Sequence, residues 1–180
     1  MGTLRRADGQ EAVAMQVLVA YGTKNGSTAG IAEVIGDALR AEGFSVRVQR
    51  AGDVRAVRDI DAVVLGGALY ANIWHKDARS FARRYARALA GRPVWLFSSG
   101  PLDESADTKQ IPPVPGARNA ARLLQARGHA TFGGRLTEDA KGFVARSMVR
   151  RGHGGDFRNP ARIRVWAKEV AEALHGAGAN

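Results

Sequence analysis

The sequence predicts an α/β domain, a five-stranded parallel sheet with helices on both faces. Three observations predict it. Short apolar runs of strand length alternate with amphipathic helical patterns along the chain. Three of the runs are apolar throughout rather than alternating, as strands covered on both faces are. Three of them exit into Gly- or Ser-rich loops, at residues 22–28, 66–76 and 98–116, and in such sheets ligands sit beyond the carboxyl ends of the strands.

The elements follow in order. Residues 1–14 are polar without periodicity and read as a flexible tail, so the domain is expected to span 15–176, with a second tail at 177–180. Gln16–Tyr21 is the first buried strand. After the loop Gly22–Thr28, Ile31, Ile35, Ala38 and Leu39 share one helical face, and Gly43 stops the helix. Phe44–Val48 alternates as strand two. Asp61–Leu65 is strand three, ending at Gly66-Gly67. Phe81, Tyr85 and Leu89 mark the next helix, and Pro93–Phe97 is strand four. Residues 102–117 read as a long loop and 119–127 as a short helix. His129–Thr137 reads as strand five with a glycine pair inside it, and 138–159 as irregular. Pro160 opens a final helix whose inner stripe is Ile163, Trp166, Val170 and Leu174.

A chain of 180 residues is large enough for one real core. It has no Cys, which excludes disulfides and thiolate chemistry. No run approaches the roughly 20 apolar residues of a membrane span, and no signal-peptide pattern opens the chain, so a cytoplasmic protein is expected. The four His residues form no metal-binding spacing. The net charge of +10, mostly from Arg, implies attraction to anions. Lys141–Arg164 carries six Arg with Phe143 and Phe157 interleaved. That stretch suits an acidic partner, a carboxylated substrate or a peripheral contact with anionic lipid at the inner membrane face. A nucleic-acid partner is disfavoured, since a solvated basic face explains the stretch as well.

The loop Thr23-Lys24-Asn25-Gly26-Ser27-Thr28 runs directly from a strand into a helix. Unpaired N–H groups and the helix dipole favour an anion there. Thr23, Ser27 and Thr28 add hydroxyls, Lys24 adds charge, and Asn25 or Gly26 suits the backbone angles that make N–H groups converge. The nucleotide-hydrolase loop is excluded because Gly26 is followed by Ser27 rather than Lys. The dinucleotide fingerprint is disfavoured because Gly22, Gly26 and Gly30 are wrongly spaced and strand two ends at Arg50 rather than an acid. A phospho-receiver site is excluded because Tyr21-Gly22 and Gly66-Gly67 stand where its acids belong.

The run Val17–Thr28 resembles the phosphate-binding signature of flavodoxins, so the expected fold is flavodoxin-like. The resemblance extends through Val63–Tyr70, Trp74-His75, Gly134–Leu136, Met148 and Gly154–Asp156. Together these look like the flavodoxin-type, quinone-dependent protoporphyrinogen oxidases and their uncharacterised relatives. The resemblance implies FMN held at Thr23–Thr28, or a deazaflavin, whose phosphate follows a similar chain. It implies that Ala68, Leu69, Tyr70, Ala71, Asn72 and Trp74 cover one face of the ring, with Trp74 or Tyr70 as the aromatic. It implies that Ser98, Ser99 and Gly100 border the other edge. His75 is then a candidate proton donor. Typical carrier flavodoxins are acidic and bear a stacking Tyr after strand four, whereas this chain is basic and has no aromatic in 98–116. That face is expected to be open, or covered by Leu102 or Ile111. This favours an oxidoreductase acting on a small flat redox substrate, of quinone or porphyrinogen type. The alternative is an electron carrier serving a partner redox protein.

Overall fold

The computed structural model describes residues 13–139, 142–152 and 154–178. The expected tails fall largely outside this range. So does Lys141, the first residue of the basic stretch. Five strands form the parallel sheet: β1 (Gln16–Gly22), β2 (Ser45–Arg50), β3 (Ala62–Tyr70), β5 (Val94–Ser99) and β6 (Gly128–Phe132), in the order β2-β1-β3-β5-β6. A two-residue strand, β4 (Ile73–Trp74), folds back antiparallel on β3. The expected five-stranded flavodoxin-like sheet is therefore present, with this hairpin added.

Side-chain alternation explains the layers. Leu18 and Ala20 of β1, Val63 and Leu65 of β3, and Val94 and Leu96 of β5 face one core, together with α2 (Lys76–Tyr85) and α4 (Pro115–Leu124). Val17 and Val19, Ala62 and Val64, and Trp95 and Phe97 face the other, against α1 (Ser27–Ala41) and α6 (Pro160–Ala177). Each fully buried Leu, Ile or Phe adds roughly 1.5–3 kcal/mol of transfer free energy. Inside the long loop, α3 (Ser105–Thr108) is a single turn.

Three expectations need correction. Strand three does not end at Gly66-Gly67 but continues to Tyr70. The two glycines lie within it because aromatic rings press on the bare backbone from opposite sides. A Cβ at Gly66 would meet the Phe97 ring at 2.0 Å, and one at Gly67 would meet Trp74 at 2.5 Å. Strand five ends at Phe132. Its glycine pair breaks it, since a Cβ on Gly133 would lie 2.0 Å from the carbonyl oxygen of Phe157. Beyond the break, β7 (Arg135–Leu136) pairs antiparallel with β8 (Gly155–Asp156). Finally, the stretch read as irregular contains α5 (Phe143–Arg150). Leu136 and Ala145, with Leu102 and Val149 against them, form a small third cluster apart from the two main cores. No helix among the described residues is long and apolar enough to cross a membrane.

Candidate functional site

The first turn of α1 is built to receive an anion. Its N-cap is Gly26, in the left-handed region at φ 81°, and no side chain caps the N–H groups. No acid stands in the first turn, so the positive end of the dipole is not neutralised within the helix. Gly26 N–H donates to Thr23 Oγ1 at 3.0 Å, which folds the loop back on itself. Thr23, Ser27 and Thr28 are all buried. Thr28 is fully enclosed, and its Oγ1 has no hydrogen-bond partner among the described residues. An unpaired buried hydroxyl costs roughly 1–3 kcal/mol, which a ligand acceptor would relieve.

Beside this loop lies a cleft of about 60 Å³, lined by Thr23, Asn25 and Ser27, by Ala68, Leu69 and Tyr70, and by Ser99, Gly100 and Leu102. Gly134, Arg135 and Leu136 close it from the far side. Ser27 Oγ lies 3.2 Å from Ser99 Oγ and accepts the backbone N–H of Arg135 at 2.8 Å. Asn25 donates to the Tyr70 hydroxyl, and the Lys24 ammonium sits 5.4 Å from the centre of the Tyr70 ring. Partial burial raises the Tyr70 phenol above its ordinary value, with the Asn25 contact opposing, so it stays protonated.

A second cavity of about 370 Å³ adjoins the first and shares Thr23 and Asn25 with it. Tyr21, Lys24, Gly26, Ala29, Arg50, Thr137 and Asp139 complete its walls. Arg50, at the end of β2, donates to the Thr23 carbonyl at 3.4 Å and so holds a positive charge at the loop.

The structure brings Thr23, Asn25 and Ser27 together with Ala68, Leu69, Tyr70, Ser99 and Gly100 around the cleft, places Lys24 and Gly26 in the wall of the second cavity, and leaves Thr28 enclosed, lining neither. It separates others. Trp74 is fully buried in the core beneath Gly67 and offers no face to the cleft, because the β3–β4 hairpin turns its side chain under the sheet. Ala71 and Asn72 form the exposed tip of that hairpin, with φ of 46° and 60°. Ser98 points to the opposite sheet face from Ser99 and hydrogen-bonds His129 Nε2 at 2.8 Å. His75 caps α2: its Nδ1 accepts the Asp77 N–H at 3.2 Å, and its ring lies against Gly22. Burial lowers its pKa, helped by the charges of Lys76, Arg50 and Arg79 and opposed by Asp77, so at neutral pH it is a neutral capping acceptor. His75 lines neither the cleft nor the second cavity. Of the two aliphatic residues expected to cover the open side, Leu102 lines the cleft, while Ile111 lies in a separate groove beside β6. The walls that the expected site left out are Gly134, Arg135 and Leu136 in the cleft and Tyr21, Ala29, Arg50, Thr137 and Asp139 in the second cavity. The signals for the first three were the Gly133-Gly134 pair that ends β6 and the resemblance carried by Gly134–Leu136.

The residues suit a flavin phosphate. Three buried hydroxyls, one of them orphaned, and an uncapped helix start make the cradle. The ring portion is another matter, since small-molecule pockets run to roughly 300–1,000 Å³ and the cleft beside the cradle holds about 60 Å³.

A family model described as a flavodoxin domain matches residues 18–153. A flavodoxin from the domain Archaea superposes with a TM-score of 0.59 at 15% identity, over 89% of this chain and 99% of that one. A mutant of the flavodoxin from Pseudomonas aeruginosa gives a TM-score of 0.57 at 13% identity, over 89% of this chain and 99% of that one. The rubredoxin oxygen:oxidoreductase of Desulfovibrio gigas gives 0.62 at 13% identity over 92% of this chain, which spans only 37% of that protein. These likenesses establish the fold. A search of curated proteins finds no match. With the family model covering most of its length, this chain belongs to the flavodoxin domain family.

Proposed function

We propose that the protein binds FMN through Thr23–Thr28 and transfers electrons between the flavin and a small flat redox substrate. The observation that carries this reading is the orphaned Thr28 hydroxyl at an uncapped, acid-free helix start. Thr23, Ser27 and Thr28, with the N–H groups of the first turn, would hold the phosphate. Lys24 and Arg50 add charge that draws a dianion to the loop. Tyr70 is the aromatic against the ring, and Ser99 and Gly100 border its edge. The bound flavin supplies the redox chemistry. The protein holds it, orients it and limits its access to water.

The finer assignment, to a quinone or porphyrinogen substrate, rests on the resemblance carried by Val63–Tyr70 and Gly134–Leu136. Phe143 on α5 is 77% exposed, with Arg146 and Arg150 exposed on the same helix, so this face suits an acidic redox partner or an anionic lipid surface. The carrier reading and the deazaflavin reading use the same cradle. The absorption spectrum of the purified protein tests the cofactor. A flavin spectrum supports FMN, a deazaflavin spectrum replaces it, and a colourless protein that takes up neither removes the reading.

A further inference from the structure

β6 stands last in the sheet order, so one of its edges has no strand of the main sheet beside it. A cavity of about 580 Å³ is walled by that strand, by the chain at 110–113 and by α6. The pair Pro112-Pro113 explains why the chain at 110–113 does not close on the edge as a further strand, since proline has no N–H to donate. This stretch is tied to β6 by a side chain instead, with Thr131 Oγ1 donating to Ile111 O at 3.3 Å. The volume lies within the roughly 300–1,000 Å³ of small-molecule sites. The cavity shares no wall residue with the flavin cleft or with the cavity beside it.

Two groups one turn apart on α6, Arg162 and Trp166, stand in the wall, and both are held in place. The Arg162 guanidinium donates to Thr131 O at 2.8 Å and lies 5.3 Å from the centre of the Phe132 ring. No carboxylate among the described residues pairs with it. The half-buried Trp166 ring is met edge-on by Phe97 and Phe132, at centroid distances of 6.4 and 5.6 Å. Glu169 also lines the cavity, but it follows Arg162 by seven residues, roughly 10 Å of helix rise. The negative charge therefore lies away from Arg162 and turns an anionic ligand toward the guanidinium.

We propose that this cavity is a second binding site, for a small flat aromatic carboxylate whose ring packs on Trp166 and the two prolines and whose carboxylate pairs with Arg162. A planar guanidinium matches a carboxylate in a two-pronged fork. Because Thr131 O and the Phe132 ring already hold Arg162, little side-chain freedom is lost when the anion arrives. An added peptide strand suits the edge less well, since Arg162 occupies the Thr131 carbonyl that such a strand would use. The site stands whether or not the protein binds flavin.

The test is calorimetric titration of the full chain with 2-naphthoate and with 2-naphthylmethanol, which keeps the ring and lacks the charge. The acid should bind about tenfold or more tightly than the alcohol. Arg162→Gln should weaken the acid about tenfold and leave the alcohol unchanged. Arg164→Gln, which removes an exposed charge from the same helix, should change neither. No binding of the acid at millimolar concentration, or equal affinity for acid and alcohol, overturns the site. Undiminished binding of the acid by Arg162→Gln also overturns it, and leaves Arg162 as a cap on the β6 edge alone. Should Arg162→Gln fail to fold, shift mapping by NMR on the parent chain decides. The acid should move the indole N–H signal of Trp166 and not that of Trp74. Shifts centred on Thr23–Thr28 instead overturn the proposal.

Discussion

Ser27 Oγ, in the first turn of α1, accepts the backbone N–H of Arg135, a residue 108 positions further along the chain, at 2.8 Å. One hydroxyl of the proposed phosphate cradle is thereby held by a backbone group of β7. The hydroxyl of the neighbouring Thr28 has no partner among the described residues. The two residues differ in what they hold before a ligand arrives: Ser27 already accepts one hydrogen bond, and the Thr28 hydroxyl makes none among the described residues.

Thr28→Val follows from that difference. The substitution keeps the shape and removes an unsatisfied hydroxyl, so the flavin-free protein should gain about 1 kcal/mol of stability in denaturant unfolding. FMN affinity should fall about tenfold, as expected for loss of one hydrogen bond to a charged group. A flavin-free Thr28→Val protein less stable than the parent would mean that the hydroxyl is satisfied and is no site marker.

The two aromatics of the β3–β4 hairpin should part company. Trp74, fully buried beneath Gly67, is a core residue, and Trp74→Ala should cost about 3–5 kcal/mol of stability. The milder Trp74→Phe should leave the emission of bound flavin unchanged. Tyr70→Leu should raise that emission with little loss of stability, because Tyr70 stands in the cleft wall. Raised emission in Trp74→Phe, with none in Tyr70→Leu, would contradict the assignment.

His129 sets a pH dependence of stability. Burial beside Ser98 lowers its pKa to about 4. The unfolded imidazole titrates near 6.5. Between those values the unfolded chain holds a proton that the folded chain does not. Stability is therefore full above about pH 6.5, falls as pH drops through the window, and levels off for this group below about 4, with a total change of up to about 3 kcal/mol. His129→Gln should flatten the slope between about pH 6.5 and 4.5. An unchanged slope in that variant would place the titration elsewhere.

Gly66→Ala should be strongly destabilising, since a methyl there would meet the Phe97 ring at 2.0 Å. Pairing it with Phe97→Leu should restore part of the loss, because the clash is with that side chain rather than with backbone. Thermal unfolding of the single and double variants measures this coupling. Additive effects would show that the glycine answers to some other contact.

The sheet and the phosphate loop were legible because β1, β3 and β5 are unbroken apolar runs and because hydroxyls cluster at one strand exit. The β3–β4 hairpin was not. Its turn uses Ala71 and Asn72 at positive φ rather than glycine, so nothing in the sequence announced that Trp74 would be turned into the core while Tyr70 stayed at the cleft. Helix α5 is short, and its apolar positions Ala145, Met148 and Val149 were passed over because the flanking glycines and arginines dominate the stretch. The His75 cap was illegible because capping by an imidazole has no sequence pattern, only a geometry.

The central claim is that this chain recognises a flavin by its phosphate. Comparing equilibrium titrations of FMN and riboflavin tests it most directly, because the two ligands share the ring and ribityl chain and differ only in the phosphate. Hydrogen bonds from several donors to a dianion should favour FMN by about a hundredfold or more, and Thr23, Ser27 and Thr28 replaced together by Ala should remove most of that preference. Equal affinity for the two ligands, in a protein that binds either, would contradict the account.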